Sequence, residues 1–427
     1  MPNHFPNREA ILARQTAAGR ELLALVISGN SFYREKLARA GLSEAATGVS
    51  PLIPFTTKSE LADDQRAHPP FGTNLTFPLA RYTRFHQTSG TAGAPLRWLD
   101  TPESWEAMVQ CWLAVFHAAG VGPADRVYFA FSFGPFIGFW LAFEAATRLG
   151  CLCIPGGGLG SSARLRAILD NGATVICCTP TYALRLGDVA AEEKIDLAGA
   201  RVRTFMVAGE PGGSIPSTRA RIAASWSGAR VFDHHGMTEV GPVTHECPAR
   251  PGVLHVMESA FLPEVIDPAT GAPVAPGQTG ELVLTTLVRV GSPLLRYRTG
   301  DLVKPVAADP TTPCACGRFD LALDGGILGR TDDMVIVRGV NVFPSAVEEI
   351  IRACGSVAEY RVTVQRDRAM SELAIEVEAS AACANPIAIA RELEQSFENI
   401  LSLRIPVTTV AAGSLPRFEM KAKRWLK

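Results

Sequence analysis

The feature that most constrains this chain is the alternation of short apolar runs with amphipathic stretches between Arg126 and Gly236. RVYFAF, CLCIP, ATVICCTP, VRTFMVAG and RVFDHHG read as strands. Between them, IGFWLAFEAATRLG, SSARLRAILDNG, TYALRLGDVAAEE and STRARIAASWSG place apolar residues at helical spacing. The first of these helices closes on Gly150 and the second on Asn-Gly, both natural stops. Short apolar strands separated by amphipathic helices predict an α/β fold with a doubly wound, mostly parallel sheet. Ligands of such folds sit outside the carboxyl ends of the strands.

On either side the texture differs. Up to about Lys58 the chain looks helical, and in FTTKSELADD either Thr57 or Ser59 can cap a helix. After Pro251 it turns to strands: VLHVMES, LPEVIDPATGAPV, TGELVLTTLV and GSPLLRYRTGDLV, separated by turn-like PATG and PGQTG. From about Asp332 a small α+β unit begins, running through VIVRGVNVF, PSAVEEIIRACG, YRVTVQR, SELAIEVEA and PIAIARELEQSFENIL. A chain of 427 residues accommodates such an arrangement. The expected division is a large unit over 1–331, β-rich from about 251, followed by a small unit over 332–427.

The uncharged run from Val127 to Phe143 is shorter than the about 20 residues a membrane helix needs, and Gly134-Pro135 breaks it. It reads as a buried strand, a turn and a helix start rather than a membrane span. Lys plus Arg number 41 and Asp plus Glu 42, which argues against nucleic acid or a membrane surface held by bulk charge. Cys151, Cys153, Cys177 and Cys178 lie in apolar strand-like runs and read as buried, reduced thiols. MPNHFPNREAILARQ has no apolar signal segment, so a cytoplasmic location is expected.

The residues that carry chemistry start at HQTSGTAGAPLRW, His86 to Trp98, with three hydroxyls and two glycines between Thr88 and Gly93. Glycine-freed N–H groups and hydroxyls make an anion-binding nest, yet the Gly-Lys-Ser/Thr ending of a P-loop is missing. Taken alone, the loop reads more readily as an ordinary polar turn. HHGMTEVG places Glu239 just beyond a strand end, where a carboxylate can hold Mg²⁺. YRTGD offers Asp301 to a ribose, GRTDDMVIVRGVNVFP opens the small unit, and LPRFEMKAKRWLK carries Lys421 in a basic tail.

In this order these segments resemble the adenylate-forming superfamily, and PFTTKSEL, FGPFIGF and GVNVFPSAVEEII narrow the resemblance to the phenylacetate–CoA ligase family. It covers the chain from about Ile53 onward. The resemblance implies a two-step reaction: a carboxylic acid and ATP give acyl-AMP and pyrophosphate, and coenzyme A then takes the acyl group. By similarity, Thr88, Ser89, Gly90, Thr91 and Gly93 would cradle the β- and γ-phosphates. Glu239 would bind Mg²⁺, Thr238 would contact the α-phosphate and Asp301 the ribose. Gly209, Glu210 and Pro211 would lie beside adenine, with His234, His235 and Gly236 also at the nucleotide. Arg330 would contact ribose or phosphate. Lys421 would bridge the attacking carboxylate and the α-phosphate, countering charge as it builds. Asp332 would be the hinge about which the small unit rotates, bringing Arg338 and Gly339 to the pantetheine arm.

Two positions depart from the family pattern: Met420 replaces the usual Gly before the lysine, leaving Lys423 as fallback, and His235 replaces the usual Tyr. Cys247, Cys314 and Cys316 with His255 suit a closed structural zinc site, as some members of the family have, and free thiols are the other reading. Phe133, Phe136, Gly138 and Met237 are expected to line the acid pocket, where aromatic walls suit an aryl ring. Either His234 or His235 could accept a hydrogen bond from a ring amino or hydroxyl group, which points to a benzoate such as anthranilate beside phenylacetate. Two other readings stay open: loading a carrier protein instead of CoA, and a non-catalytic nucleotide-binding module. The resemblance also suggests a homodimer.

Overall fold

The computed structural model describes residues 5–42, 48–88, 95–307, 309, 311–338, 340–367, 370–380, 383, 385–418 and 422–426. Ser89, Gly90, Thr91, Gly93, Gly339, Met420 and Lys421 lie outside the described residues.

The chain is α/β. Five parallel strands, β1 (Arg126–Phe129), β2 (Leu152–Pro155), β3 (Val175–Cys178), β4 (Thr204–Val207) and β5 (Arg230–Asp233), stand in the order β2-β1-β3-β4-β5. Helices α1 (Trp140–Arg148), α2 (Ser161–Asp170), α3 (Pro180–Glu192) and α4 (Pro216–Ser225) make the crossovers. Side chains alternate across the sheet with the period of two that a strand imposes. Phe129, Cys177, Met206 and Phe232 enter one core with Trp112 and Phe139. Tyr128, Ile176, Phe205 and Val231 enter another, with Leu186 and Ile222. From β1 the chain steps out to β2 and returns past β1 to β3, so the topological switch lies between β1 and β3. The segments leaving the carboxyl ends, 130–139, 179–181, 208–215 and 234–241, therefore surround one crevice.

Local chemistry explains the element limits. The helix Pro102–Ala119 starts where Thr101 accepts the Ser104 N–H and Pro102 fills the first turn, and it stops at Gly120, whose φ is +70°. The helix Lys58–Ala67 opens on a reciprocal capping box between Thr57 and Glu60, which settles the cap on Thr57 rather than Ser59. The strand expected across GSPLLRYRTGDLV begins only at Tyr297. Arg296, at φ +46°, turns its guanidinium to the carbonyls of Pro51 and Ile53 and to Glu264, and this breaks the ladder before it.

The β-rich region holds a four-stranded antiparallel sheet (Phe261–Ile266, Gly280–Thr286, Tyr297–Val303, Gly329–Arg330). It also holds a three-stranded one (Thr244–Cys247, Arg250–Val256, Ala322–Asp324). Beyond it, Val337, Val347, Ile351, Val362, Ile375, Leu393 and Phe397 build a separate core. That core lies between the helices Pro344–Ala353 and Pro386–Leu401 and a sheet that includes Val357–Asp367 and Met370–Ala379. Among the described residues no helix is long and apolar enough to cross a membrane.

Candidate active site

A hairpin, Arg84–Gln87 against Arg97–Asp100, presents the segment that begins at Thr88. Thr88 is buried at its base, donating its N–H to the Leu96 carbonyl at 2.9 Å and accepting the Leu96 N–H on Oγ1 at 3.0 Å. The Gln87 N–H reaches the Pro135 carbonyl at 2.7 Å, which ties this hairpin to the aromatic loop after β1.

Gly236-Met237 pairs back on Gly241-Pro242, so Thr238 and Glu239 form the tip of a tight turn. Gly241 sits at φ +90°, a conformation that residues with a side chain rarely adopt, and a Cβ there would also meet Met108 Sδ at 2.6 Å. Glu239 is buried, with Lys58 Nζ 3.1 Å from Oε1 and the Tyr297 hydroxyl donating to the same oxygen at 3.5 Å. Lys58 itself is half-exposed. A buried carboxylate needs a countercharge, and here it is an ammonium that faces solvent. Lys58 escaped the sequence reading although it stands inside PFTTKSEL. So did Arg289, which grips Asp100 of the hairpin and the Thr238 carbonyl at once.

Asp301 is buried on the strand Tyr297–Val303, with Arg330 Nη1 3.1 Å from one carboxylate oxygen and His235 Nε2 3.1 Å from the other. Arg330 also donates to Asp332 at 3.0 Å. The His235 N–H is held by Thr244 Oγ1 at 2.9 Å. Thus His235, Asp301, Arg330 and Asp332 form one chain of contacts. Gly209 (φ +98°) turns the chain after β4 and Pro211 is exposed. Between them, Glu210 points its carboxylate at the Thr181 and Ala422 N–H groups, 2.9 Å from each. Arg338 stands apart from this group, paired with Glu372 at 2.8 Å.

The aromatic loop packs on itself. Phe133 lies 4.8 Å from Phe131 and 4.5 Å from Trp140 between ring centroids, and Phe136 covers Gly134 and Gly138, where a Cβ would come within 3.0 and 3.1 Å of its ring. Trp112, on the helix Pro102–Ala119, contacts both Phe139 (5.9 Å) and His234 (4.4 Å), and Met237 packs against the same core. His234 Nδ1 lies 2.6 Å from the Thr244 carbonyl and so carries the proton, which leaves Nε2 as an acceptor. Burial depresses its pKa to about 3, so the ring is neutral.

Away from this crevice, Cys247, His255, Cys314 and Cys316 converge, all four donor atoms within 4.8 Å of one another. Cys247 Sγ is 3.6 Å from Cys314 Sγ, and Cys316 Sγ is 3.4 Å from His255 Nε2. Tetrahedral zinc, at about 2.3 Å from sulfur and about 2.0–2.1 Å from nitrogen, spaces its ligands roughly 3.5–3.8 Å apart. The donor set therefore fits zinc, whereas a disulfide needs about 2.05 Å. His255 Nδ1 lies 3.2 Å from the Asp320 carbonyl, the outer contact that fixes a metal-binding tautomer. His245 turns its Nδ1 to the Glu246 carbonyl instead.

Residues 86–287 match the AMP-binding enzyme family, and residues 339–427 match the AMP-binding enzyme C-terminal domain. A phenylacetate–coenzyme A ligase of Thermus thermophilus is 31% identical, the match covering 96% of this chain and 95% of that one. The Escherichia coli phenylacetate–coenzyme A ligase is 32% identical over 92% of this chain and 89% of its own. This chain belongs to the phenylacetate–CoA ligase family. As a member it is an adenylate-forming acid–thiol ligase. Among solved structures, 2-hydroxyisobutyryl-CoA ligase in its postadenylation state with 2-HIB-AMP is 28% identical. It covers 98% of this chain and 89% of that one, with a TM-score of 0.89. The same enzyme with 2-HIB-AMP and CoA in the thioesterification state, 29% identical over 98% of this chain and 89% of that one, gives 0.71. This family member therefore adopts an arrangement closer to the first state than to the second.

Proposed function

We propose that this ligase activates an aryl carboxylic acid, with a benzoate bearing an ortho amino or hydroxyl group as the preferred class, and transfers it to coenzyme A. A carboxylate oxygen attacks the α-phosphorus of ATP and the bond to pyrophosphate breaks. The CoA sulfur then attacks the acyl carbon, AMP leaves with the bonding pair, and the thiol proton passes to solvent. Such chemistry depends on positioning and on neutralising charge.

The observation that carries the reading is that Glu239, His235 and Asp301 stand together with Glu210 and the tail residue Ala422 beyond the carboxyl ends of β4 and β5. Thr88 and the loop that follows it would hold the β- and γ-phosphates. Thr238 would face the α-phosphate and Glu239 would hold Mg²⁺, which neutralises phosphate charge when bound. Lys58, displaced from Glu239, would then face the phosphates. Asp301 would take the ribose hydroxyls, with His235 and Arg330 orienting its carboxylate. Gly209, Pro211 and Gly236 would border the nucleotide. Lys421 would supply the positive charge between acid and α-phosphate. Rotation of the small unit about Asp332 would withdraw it and bring Arg338 and Gly339 to the pantetheine arm.

The aryl preference rests on Phe133, Phe136, Met237 and Trp112, and the substituent preference on His234, whose Nε2 can only accept. A 2-hydroxy acid presents the same donor to the same atom, and the structural likeness to 2-hydroxyisobutyryl-CoA ligase makes it the second reading. Cys247, His255, Cys314 and Cys316 would hold a structural zinc ion outside the reaction path. The deciding experiment is acid-dependent pyrophosphate release from Mg-ATP with benzoate, 2-aminobenzoate, phenylacetate and 2-hydroxyisobutyrate, with and without CoA. Release with 2-aminobenzoate and formation of its CoA thioester is expected. Release confined to the aliphatic acid selects the second reading. Release without thioester moves the acceptor to a carrier protein, and nucleotide binding with no release under any acid returns a non-catalytic module.

A further inference from the structure

We infer that Glu210 is a positioning residue for acyl-AMP formation: its carboxylate clasps the tail at Ala422, the residue after Lys421 in the sequence, and so favours the arrangement of the small unit in which the first step runs. Oε1 accepts the Thr181 N–H and Oε2 the Ala422 N–H, each at 2.9 Å. Thr181 lies in the first turn of α3, whose N–H groups have no partner inside the helix. Pro180 has no N–H, and Thr179 Oγ1 satisfies Tyr182 at 3.2 Å. The Thr181 N–H is thus the donor left over, and Glu210 takes it where the helix dipole favours an anion. This contact is made wholly within the large unit and does not depend on the tail.

Other contacts cross the same interface, among them Arg221 Nη1 to the Val357 carbonyl at 3.1 Å. Arg424, buried, donates from Nη1 to Thr181 Oγ1 at 3.3 Å while Nε holds Glu359 at 2.6 Å. Glu349 of the small unit accepts the Ser217 N–H and hydroxyl at the start of α4, at 3.3 and 2.9 Å. Among the described residues, it is Glu210 that takes the Ala422 N–H. Its grip is reversible by design: when the small unit turns, Ala422 leaves, while Glu210 keeps the Thr181 N–H and exchanges one partner for water. One charge-assisted hydrogen bond biases the two arrangements by roughly ten- to hundredfold, enough to favour the adenylating arrangement without locking it. The inference rests on the reading of Lys421 as the residue of the first step.

The test is Glu210→Gln, which keeps the shape but turns one acceptor into an N–H₂ donor. We expect kcat for acid-dependent pyrophosphate release to fall roughly ten- to hundredfold. KM for ATP should stay within about threefold, and CoA thioester formation from supplied acyl-adenylate should be retained or faster. The acid is whichever of benzoate, 2-aminobenzoate, phenylacetate and 2-hydroxyisobutyrate supports the greatest release. Amide hydrogen exchange at 422–426, which needs no acid, should quicken by about tenfold, with unchanged exchange in β4 as the control for folding. Thr181→Val, which removes only the Arg424 acceptor, should move the same readouts in the same direction by about threefold. Unchanged exchange at 422–426 in both variants overturns the clasp. A fall in both half-reactions with a raised KM for ATP overturns it in favour of a nucleotide contact. Lys421→Ala, run in parallel, separates the two ideas: if it still releases pyrophosphate, the reading of Lys421 fails, and the exchange data alone decide the clasp.

Discussion

Arg289 holds Asp100 with two nitrogens, each at 2.6 Å, and the Thr238 carbonyl with a third at 2.7 Å, and the pair is buried. One guanidinium thereby fixes the distance between the Thr88 hairpin and the Glu239 turn. Removing one partner of such a pair strands a buried charge, which costs about 3–5 kcal/mol. Arg289→Met should lower urea-unfolding stability by that amount, and Asp100→Asn in the same chain should recover part of it. If Arg289→Met unfolds at the wild-type midpoint, the pair holds nothing in place.

Glu239 and Lys58 make opposite predictions. Glu239→Gln removes the charge proposed to hold Mg²⁺, and acid-dependent pyrophosphate release should fall by roughly 10²–10³. Lys58→Met leaves Glu239 free for the metal. It should lower the Mg²⁺ concentration needed for half-maximal rate while reducing the rate at saturating Mg-ATP by about tenfold, the loss of one charged contact to phosphate. A Mg²⁺ titration of both variants checks this. Matching curves for Lys58→Met and wild type would mean that the two groups do not compete.

His234 should set selectivity rather than rate. With Nδ1 committed to Thr244, Nε2 can accept from a ring substituent but cannot donate. His234→Phe should lower kcat/KM for 2-aminobenzoate about tenfold relative to benzoate, the worth of one neutral hydrogen bond. Because burial depresses the His234 pKa to about 3, the imidazole is already deprotonated throughout the assay range. The wild-type preference should therefore be flat between pH 6 and 9, as competition assays would show. A preference that appears only as pH rises through the usual histidine range would assign it elsewhere, since His234 can lose no proton there.

The sheet was legible because its strands are apolar on both faces and its helices are not, so one period gives way to the other at each boundary. Glu239 and Asp301 were legible because each stands at a strand end or on a strand within a short, ordered motif. The Arg289–Asp100 pair was not, because 189 residues separate the partners and neither sits in a pattern. Lys58 was hidden for a different reason: it reads as an ordinary first-turn residue of a capped helix, and only the fold brings Glu239 to it. The contact between Glu210 and Ala422 spans 212 residues, and the motif around Glu210 suggests a nucleotide rather than a tail. Cys247, His255, Cys314 and Cys316 were all nameable from residue type, and the fold brings them together because the strand Thr244–Cys247 pairs with Arg250–Val256 and that strand with Ala322–Asp324.

That last cluster yields a prediction independent of any substrate. Purified protein should contain about one zinc per chain if the three thiols and His255 bind it as a closed site. Cobalt substitution should produce thiolate-to-metal charge-transfer absorbance, which Cys314→Ser would weaken and shift. Zinc that favours the folded arrangement of its ligands would stabilise by mass action, by up to about 2.7 kcal/mol when free zinc exceeds its dissociation constant a hundredfold. Chelation should accordingly lower the unfolding midpoint of the wild type and leave that of Cys314→Ser nearly unmoved. Because the site lies off the proposed reaction path, the two half-reactions should keep their ratio in whatever protein remains folded. Metal-free protein with an unchanged midpoint would return the three cysteines to free thiols.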